Sequence, residues 1–312
     1  MRCYENSDSW HRYRAILAER FEVRFDREPI ESWRAIRGHD LHIDEWRPEG
    51  SLQGTVVVVH GAGGHGRVLA PFCDLAAQHG WLAIAPDLPG YGLTRVSNDF
   101  DWSYDEWLAV VCALADEIEG PLILMGFSVG GLTAALAAQS ARSVNGVLAS
   151  TLLDLSDPFT FVRSARWPWL GYLSLVGFRM LPSIVDRIAL PLRLIAPFAK
   201  MSSDAGMRSF FESDPLLGQL RVPSRLFRTM HARKLDAIAP GCPLWLIHPG
   251  ADVWTPTDVS RSTFDRVRGA KRLLELTNGG HLPLEQPALS EFNDALGEFL
   301  RSVGSRAPPG SA

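Results

Sequence analysis

Cysteine is scarce and scattered in this 312-residue chain, where Cys3, Cys73, Cys112 and Cys242 are the four present. None forms a Cys-x-x-Cys pair or a Cys/His cluster with ligand spacing, which excludes the compact sites that zinc needs. The expectation is reduced, mostly buried thiols, and nothing in the sequence calls for a metal or a cofactor. Long apolar runs are missing too. No uninterrupted stretch reaches the roughly 18 residues of a spanning helix, and the opening MRCYENSDSWHRYR lacks the apolar segment of a secretory leader. The expected location is therefore cytoplasmic. Charge of one sign is also not in excess: the formal balance is −4, with no basic surplus of the kind that draws nucleic acid. What remains is ordinary globular composition, 46% hydrophobic and 21% charged, far from that of disordered chains.

Residues 1–30 read as a helix, WHRYRAILAERF, and a charged connector. ESWRAIR and LHIDEW follow as two strand-like runs around a turn at Gly38-His39-Asp40, an antiparallel hairpin opening a sheet. From Thr55 the pattern changes to short, continuously apolar runs: TVVVVHG, WLAIAPD, PLILMGFS, NGVLAST, CPLWLIHPG and KRLLELT. Continuous apolarity means burial on both faces, as in the central strands of a parallel sheet. RVLAPFCDLAAQHG, SYDEWLAVVCALADEIEG and VGGLTAALAAQS alternate with the first of these runs at helical spacing. The pattern predicts an α/β fold with a mostly parallel, doubly wound sheet. One interval, residues 153–240, has no clear strand and is too long for a loop; it reads as an inserted helical cap. The core is then 31–152 and 241–302, and the tail 303–312 is expected to be disordered.

The sharpest chemical feature is Gly126-Phe127-Ser128-Val129-Gly130-Gly131, between the strand PLILM and the small-residue helix LTAALAAQ. This is Gly-x-Ser-x-Gly in a strand-to-helix setting, where crowding around a sharp turn demands small neighbours and the hydroxyl of Ser128 projects from the sheet's carboxyl end as a nucleophile. His60-Gly61-Ala62-Gly63-Gly64 ends the strand TVVVV. Its glycines can aim backbone N–H groups into the cleft, and the amides of Ala62 and Val129 together would form an oxyanion hole. A phosphate-binding loop is the competing reading, but no Lys-Ser/Thr follows and dinucleotide spacing is absent. His60 reads as a structural group fixing the loop.

A general base must come later in the chain, in the order serine, acid, histidine. His281, in Asn278-Gly279-Gly280-His281, fits; His248 ends an apolar strand and reads as core. For the acid, Asp252 lies just past CPLWLI, where it can orient the imidazole and stabilise its cation. Asp154 is the alternative acid, and Asp87 reads as a loop brace.

Taken together, HGAGGHGR, APDLPGYG, GFSVGG, HPGAD and GGH resemble the α/β-hydrolase superfamily over roughly residues 40–300, and most of all its monoglyceride lipase or serine aminopeptidase branch. The resemblance implies Ser128, Asp252 and His281 as the triad, the amides of Ala62 and Val129 as the oxyanion hole, and a cap that sets substrate choice. The chain departs from the pattern by a stretch one residue short before Arg67, an unmatched first half of the cap and an added N-terminal helix. It leads to the expectation of a serine hydrolase acting on small apolar, monoacylglycerol-type esters through an acyl-enzyme. The same triad could serve carbon–carbon, lactone or amide hydrolysis or acyl transfer, and a non-catalytic receptor on the same scaffold is a further alternative.

Between Leu155 and Pro240 there are twelve Lys/Arg against six Asp/Glu. Such a basic, greasy segment suits an amphipathic surface that meets lipid or shelters an acyl chain, with peripheral membrane contact as one outcome. Trp167, Trp169, Tyr172 and Phe178 could equally bury the cap against the sheet.

Overall fold

The computed structural model describes residues 3–25 and 27–304. Helix α1 (Asp8–Arg20) comes first, capped by the Ser7 side chain. Ten strands follow among the described residues: β1 (Ile30–Ile36), β2 (His39–Trp46), β3 (Gly54–Val59), β4 (Trp81–Pro86), β5 (Leu122–Gly126), β6 (Gly146–Ala149), β7 (Ala189–Pro191), β8 (Arg221–Pro223), β9 (Leu244–His248) and β10 (Lys271–Glu275). Eight of them make one sheet in the order β1-β2-β4-β3-β5-β6-β9-β10. The pairings from β4 through β10 are parallel, and β1 and β2 add an antiparallel edge. Every residue of β3 and β5 is buried, the structural counterpart of their unbroken apolarity.

Helices α2 (Ala70–Gln78), α3 (Tyr104–Asp116) and α4 (Val129–Ser140) fill the crossovers. After β6 the chain leaves the sheet for an inserted segment holding α5 (Pro158–Ser164), α6 (Pro168–Met180), α7 (Pro182–Val185), α8 (Leu192–Ile195), α9 (Ala205–Ser213) and α10 (Ser224–Ala232). It then returns through β9, α11 (Thr257–Asp265), β10 and α12 (Ala288–Gly304).

Four sequence expectations change. The β1–β2 turn is Arg37-Gly38, with Ile36 paired to His39, so His39 and Asp40 belong to β2. A two-residue turn of this hand needs left-handed backbone at both positions, and Arg37 (φ 52°) and Gly38 (φ 82°) supply it. The insertion is not wholly helical, because β7 and β8 pair as a short antiparallel ribbon. Residues 303 and 304 complete α12, and the rest of the expected tail lies outside the described residues. All four cysteines are free, but only Cys73 is fully buried.

Sequence reading gave α1 no role, yet it ties the loop after β3 to the insertion. Tyr13 donates its hydroxyl hydrogen to the Val68 carbonyl at 2.8 Å and stacks on Phe210 of α9 with centroids 5.2 Å apart. Just ahead of α1, Tyr4 donates to Asp87 Oδ2 at 2.8 Å. Around Asp87 lies a buried polar network. Arg67 binds Asp44 through two 2.7 Å hydrogen bonds, and its Nη2 lies 3.1 Å from Glu31. His42 bridges Asp87 and Glu31, 3.0 Å from each. Glu31, His42 and Asp44 stand close enough to hold a cation, but the guanidinium of Arg67 already supplies that charge.

Burial opposes a charge on His42, but its contacts with Asp87 and Glu31 and its attraction to Asp87 and Asp44 outweigh it and push the pKa up to about 10. The unfolded chain releases that proton near 6.5, so the stability from His42 is complete below about 6.5 and is lost as pH rises through about 10. The urea midpoint should therefore fall between about pH 7 and about pH 10, and His42→Asn should flatten that slope. Equal slopes in the two proteins would take His42 out of this account.

Candidate active site

The site is built at the carboxyl end of the sheet, where α4 springs directly from β5. Ser128 occupies the joint with φ 56° and ψ −133°, a left-handed conformation that costs a non-glycine residue about 1–3 kcal/mol. Close packing behind it forces this geometry. A Cβ on Gly130 would stand 2.3 Å from the Val59 carbonyl oxygen, and one on Gly131 would stand 2.0 Å from that of Thr151. Only glycine lets α4 press this hard against the ends of β3 and β6, and the turn tightens accordingly.

The loops after β9 and β10 run side by side, linked by the Gly250 amide to the Asn278 carbonyl (3.0 Å) and the Ala251 amide to the Gly279 carbonyl (3.1 Å). That pairing brings Asp252 to His281, whose Nδ1 lies 2.8 Å from Asp252 Oδ2. The carboxylate is saturated. Its Oδ1 accepts the Trp254 and Thr255 amides at 2.8 and 3.0 Å, and its Oδ2 also accepts the Thr255 hydroxyl at 2.6 Å. Burial alone would raise the pKa of Asp252, but the charge and hydrogen bond of His281 and the bonds from Thr255 hold it well below the usual carboxylate range. An ionised Asp252 accepts from Nδ1–H, which leaves Nε2 as the basic atom.

His281 Nε2 is buried and has no hydrogen-bond partner among the described residues. It is not bonded to Ser128 in this arrangement, but the two residues line the same small cavity of about 30 Å³ with His60, Gly61, Met201 and Phe211. The backbone amide of His281 donates to the Met201 carbonyl at 3.1 Å, so the insertion itself props the imidazole loop.

Ala62 and Val129 flank Ser128 on the wall of a larger cavity of about 110 Å³. Neither amide donates a hydrogen bond among the described residues. The Val129 amide is an unpaired donor at a helix start, where the helix dipole also favours negative charge. Tyr91 holds the Ala62 peptide through a 3.0 Å hydrogen bond to its carbonyl oxygen. His60 is a brace, with Nδ1 2.8 Å from the Gly61 carbonyl and Nε2 accepting the Leu88 amide at 2.9 Å.

The alternatives stand elsewhere. Asp154 is bound by Arg266 at 2.6 Å and by the Ser156 amide. Asp87 braces loops through the Gly66 and Leu93 amides, and His248 is fully buried with Nδ1 against the Pro249 carbonyl. Sequence reading missed Trp254, Thr255 and Met201. A threonine three residues past an aspartate, ahead of a proline, was the one local signal, since aspartate commonly captures the amides that follow it.

The larger cavity has no charged lining residue; beyond Ser128 its walls are apolar, apart from Ser164, Ser174 and Ser224. Helix α6 lines it with Leu170, Gly171, Ser174 and Phe178 and turns Trp169, Tyr172, Leu173, Val176 and Met180 outward, each 58–67% exposed. Of the four aromatics in question only Phe178 is buried, so the other three do not pack the insertion onto the sheet.

The sequence profile of the family described as serine aminopeptidase, S33 matches residues 50–287. Human monoglyceride lipase is 26% identical over 291 residues, 87% of this chain and 91% of that protein. A pimeloyl-[acyl-carrier protein] methyl ester esterase of Xanthomonas oryzae pv. oryzae is 34% identical over 113 residues, a match that spans 36% of this chain and only 40% of that relative's length. Among solved structures, monoglyceride lipase from Saccharomyces cerevisiae, a soluble variant, superposes with a TM-score of 0.71 at 17% identity, covering 88% of this chain and 97% of that one. Monoacylglycerol lipase of Paleococcus ferrophilus gives 0.64 at 22% identity, covering 84% and 98%. The likeness to these two structures carries the fold, and the profile match carries the family: the chain belongs to the serine aminopeptidase, S33 family of α/β-hydrolases.

Proposed function

We propose that the protein is a serine hydrolase that cleaves carboxylic esters of apolar acids, monoacylglycerol-type esters among them, through an acyl-enzyme on Ser128. The observation that carries this reading is the uncharged cavity of about 110 Å³ opening onto Ser128, Ala62 and Val129. In this reading residues 153–240 act as a cap on a core formed by 31–152 and 241–302, and α6 covers the acyl chain.

A side-chain rotation of Ser128 brings Oγ to Nε2 of His281, a contact that commonly tightens only when substrate binds. The imidazole takes the hydroxyl proton as Oγ bonds to the ester carbonyl carbon, and the amides of Ala62 and Val129 hold the resulting oxyanion. Collapse breaks the bond to the leaving oxygen, which receives the proton from Nε2. Water then attacks the acyl-enzyme by the same route, its proton passing through His281 to Oγ.

Ser128→Ala should abolish turnover of p-nitrophenyl esters with the far-ultraviolet circular dichroism unchanged, and Asp252→Asn should lower kcat roughly ten-thousand-fold. Turnover by a folded Ser128→Ala protein at the wild-type rate would refute the assignment.

We also propose that the cap meets membranes peripherally. No helix among the described residues is long and apolar enough to cross a membrane. The outward stripe on α6, with Arg179 in the same helix and Arg187 just beyond, suits a surface contact with anionic lipid. Leu173→Asp with Val176→Asp should lower co-sedimentation with vesicles of mixed phosphatidylcholine and phosphatidylserine while sparing hydrolysis of a short soluble ester. Unaltered co-sedimentation would remove the stripe from the account.

A further inference from the structure

Trp254 links the acid loop, the imidazole and the cap. Its amide is one of the donors to Asp252, and its indole lies over the His281 imidazole with centroids 4.5 Å apart and planes inclined by 34°. At the far edge of the ring, Nε1–H donates to the Ser164 carbonyl at 3.1 Å, at the end of α5 in the cap. The side chain is buried and fixed from both ends, by the acid loop at its backbone and by the cap at its indole nitrogen.

The two cavities beside Ser128 share only Gly63, Ser128 and Trp254 among their lining residues. Val129 and the apolar residues of α5, α6 and α8 face the larger one, whereas His281 faces only the smaller, with Met201 and Phe211. Gly63 and Ser128 belong to the two loops that hold the reacting ester, so the large side chain standing between the compartments is the indole. Acyl transfer gives the two spaces different tasks. The leaving oxygen must take its proton from Nε2 of His281, so the alcohol part of the ester lies in the space that holds the imidazole, and the acyl chain takes the other. The smaller space measures about 30 Å³, on a scale where one water needs about 10–15 Å³. It has room for about two or three waters or a small alcohol, and the indole stands between it and the acyl cavity.

We infer that Trp254 is a specificity-determining residue: it limits the size of the alcohol that the enzyme releases, and its hydrogen bond to the Ser164 carbonyl holds the indole in the position where it does so. This inference rests on the ester-hydrolysing reading of Ser128 and His281. A truncated wall merges the two spaces, and a bulkier alcohol then fits beside the imidazole.

The test uses the full chain and one acyl group, octanoate, esterified to methanol, butanol and benzyl alcohol, with kcat/KM measured for wild type, Trp254→Phe and Trp254→Leu. The ratio of benzyl to methyl ester should rise about threefold for Trp254→Phe and tenfold or more for Trp254→Leu, in line with the discrimination that one or two carbon groups give in an apolar pocket. A role confined to core packing would lower turnover of all three esters together and leave the ratio unmoved, which overturns the inference. Should Trp254→Leu not fold, the phenylalanine variant decides alone by the same ratio. Wild-type protein without ester turnover would remove both this inference and the reading beneath it, whereas wild-type turnover with unmoved ratios in the folded variants removes this inference only.

Discussion

The close approach of α4 to the ends of β3 and β6 is the constraint on which the rest of the site depends. Contacts within about 2.3 Å of a would-be Cβ at Gly130 and Gly131 leave Ser128 no relaxed conformation. The strain of about 1–3 kcal/mol is sustained by the buried sheet on either side. That sheet explains the geometry around the hydroxyl. Parallel strands end together, so the loops after β3, β5, β9 and β10 converge on one rim, and each contributes one part: the Ala62 amide, Ser128, Asp252 and His281.

A second set of contacts holds the loop after β3. Side-chain bonds to the loop after β4 make up this set: Asp87 accepts the Gly66 amide, Tyr91 donates to the Ala62 carbonyl, and His60, within the loop itself, accepts the Leu88 amide. Tyr4 and His42 in turn fasten Asp87, so the segment before the sheet bears on the loop that carries a proposed oxyanion donor. Helix α1 extends the same bracing to α9, and Met201, close to α9 in the chain, holds the His281 amide. The second half of the insertion is thereby packed onto the loops of the site, while the first half, with α6, carries an apolar face on each side.

Much of this could be read from the amino-acid order because the signals are local. The six apolar runs correspond to the parallel strands, and Ser128 is set by glycines within three residues of it. Asp252 and His281 could be named because each follows a strand, although their pairing depends on adjacent loops that no short pattern encodes. Other parts had no local signal. Arg67, Asp44, Glu31, His42 and Tyr4 are far apart in the chain and look like ordinary surface charges and a stray aromatic until the fold gathers them around Asp87, whose bracing role alone is legible from its loop. Trp169 and Phe178 look alike in sequence, and only the orientation of α6 separates an exposed ring from a buried one. Trp254 carries no local signal either, since its hydrogen bond to Ser164 joins residues 90 apart in the chain.

The central claim is that the strained serine is the nucleophile, and its most direct test is covalent. Wild-type protein treated with a fluorophosphonate, digested and mapped by mass spectrometry should carry a single adduct on the peptide containing Ser128, with the phosphorus bonded to its Oγ. An adduct on another residue, or a fully folded protein that takes up none, would contradict the account.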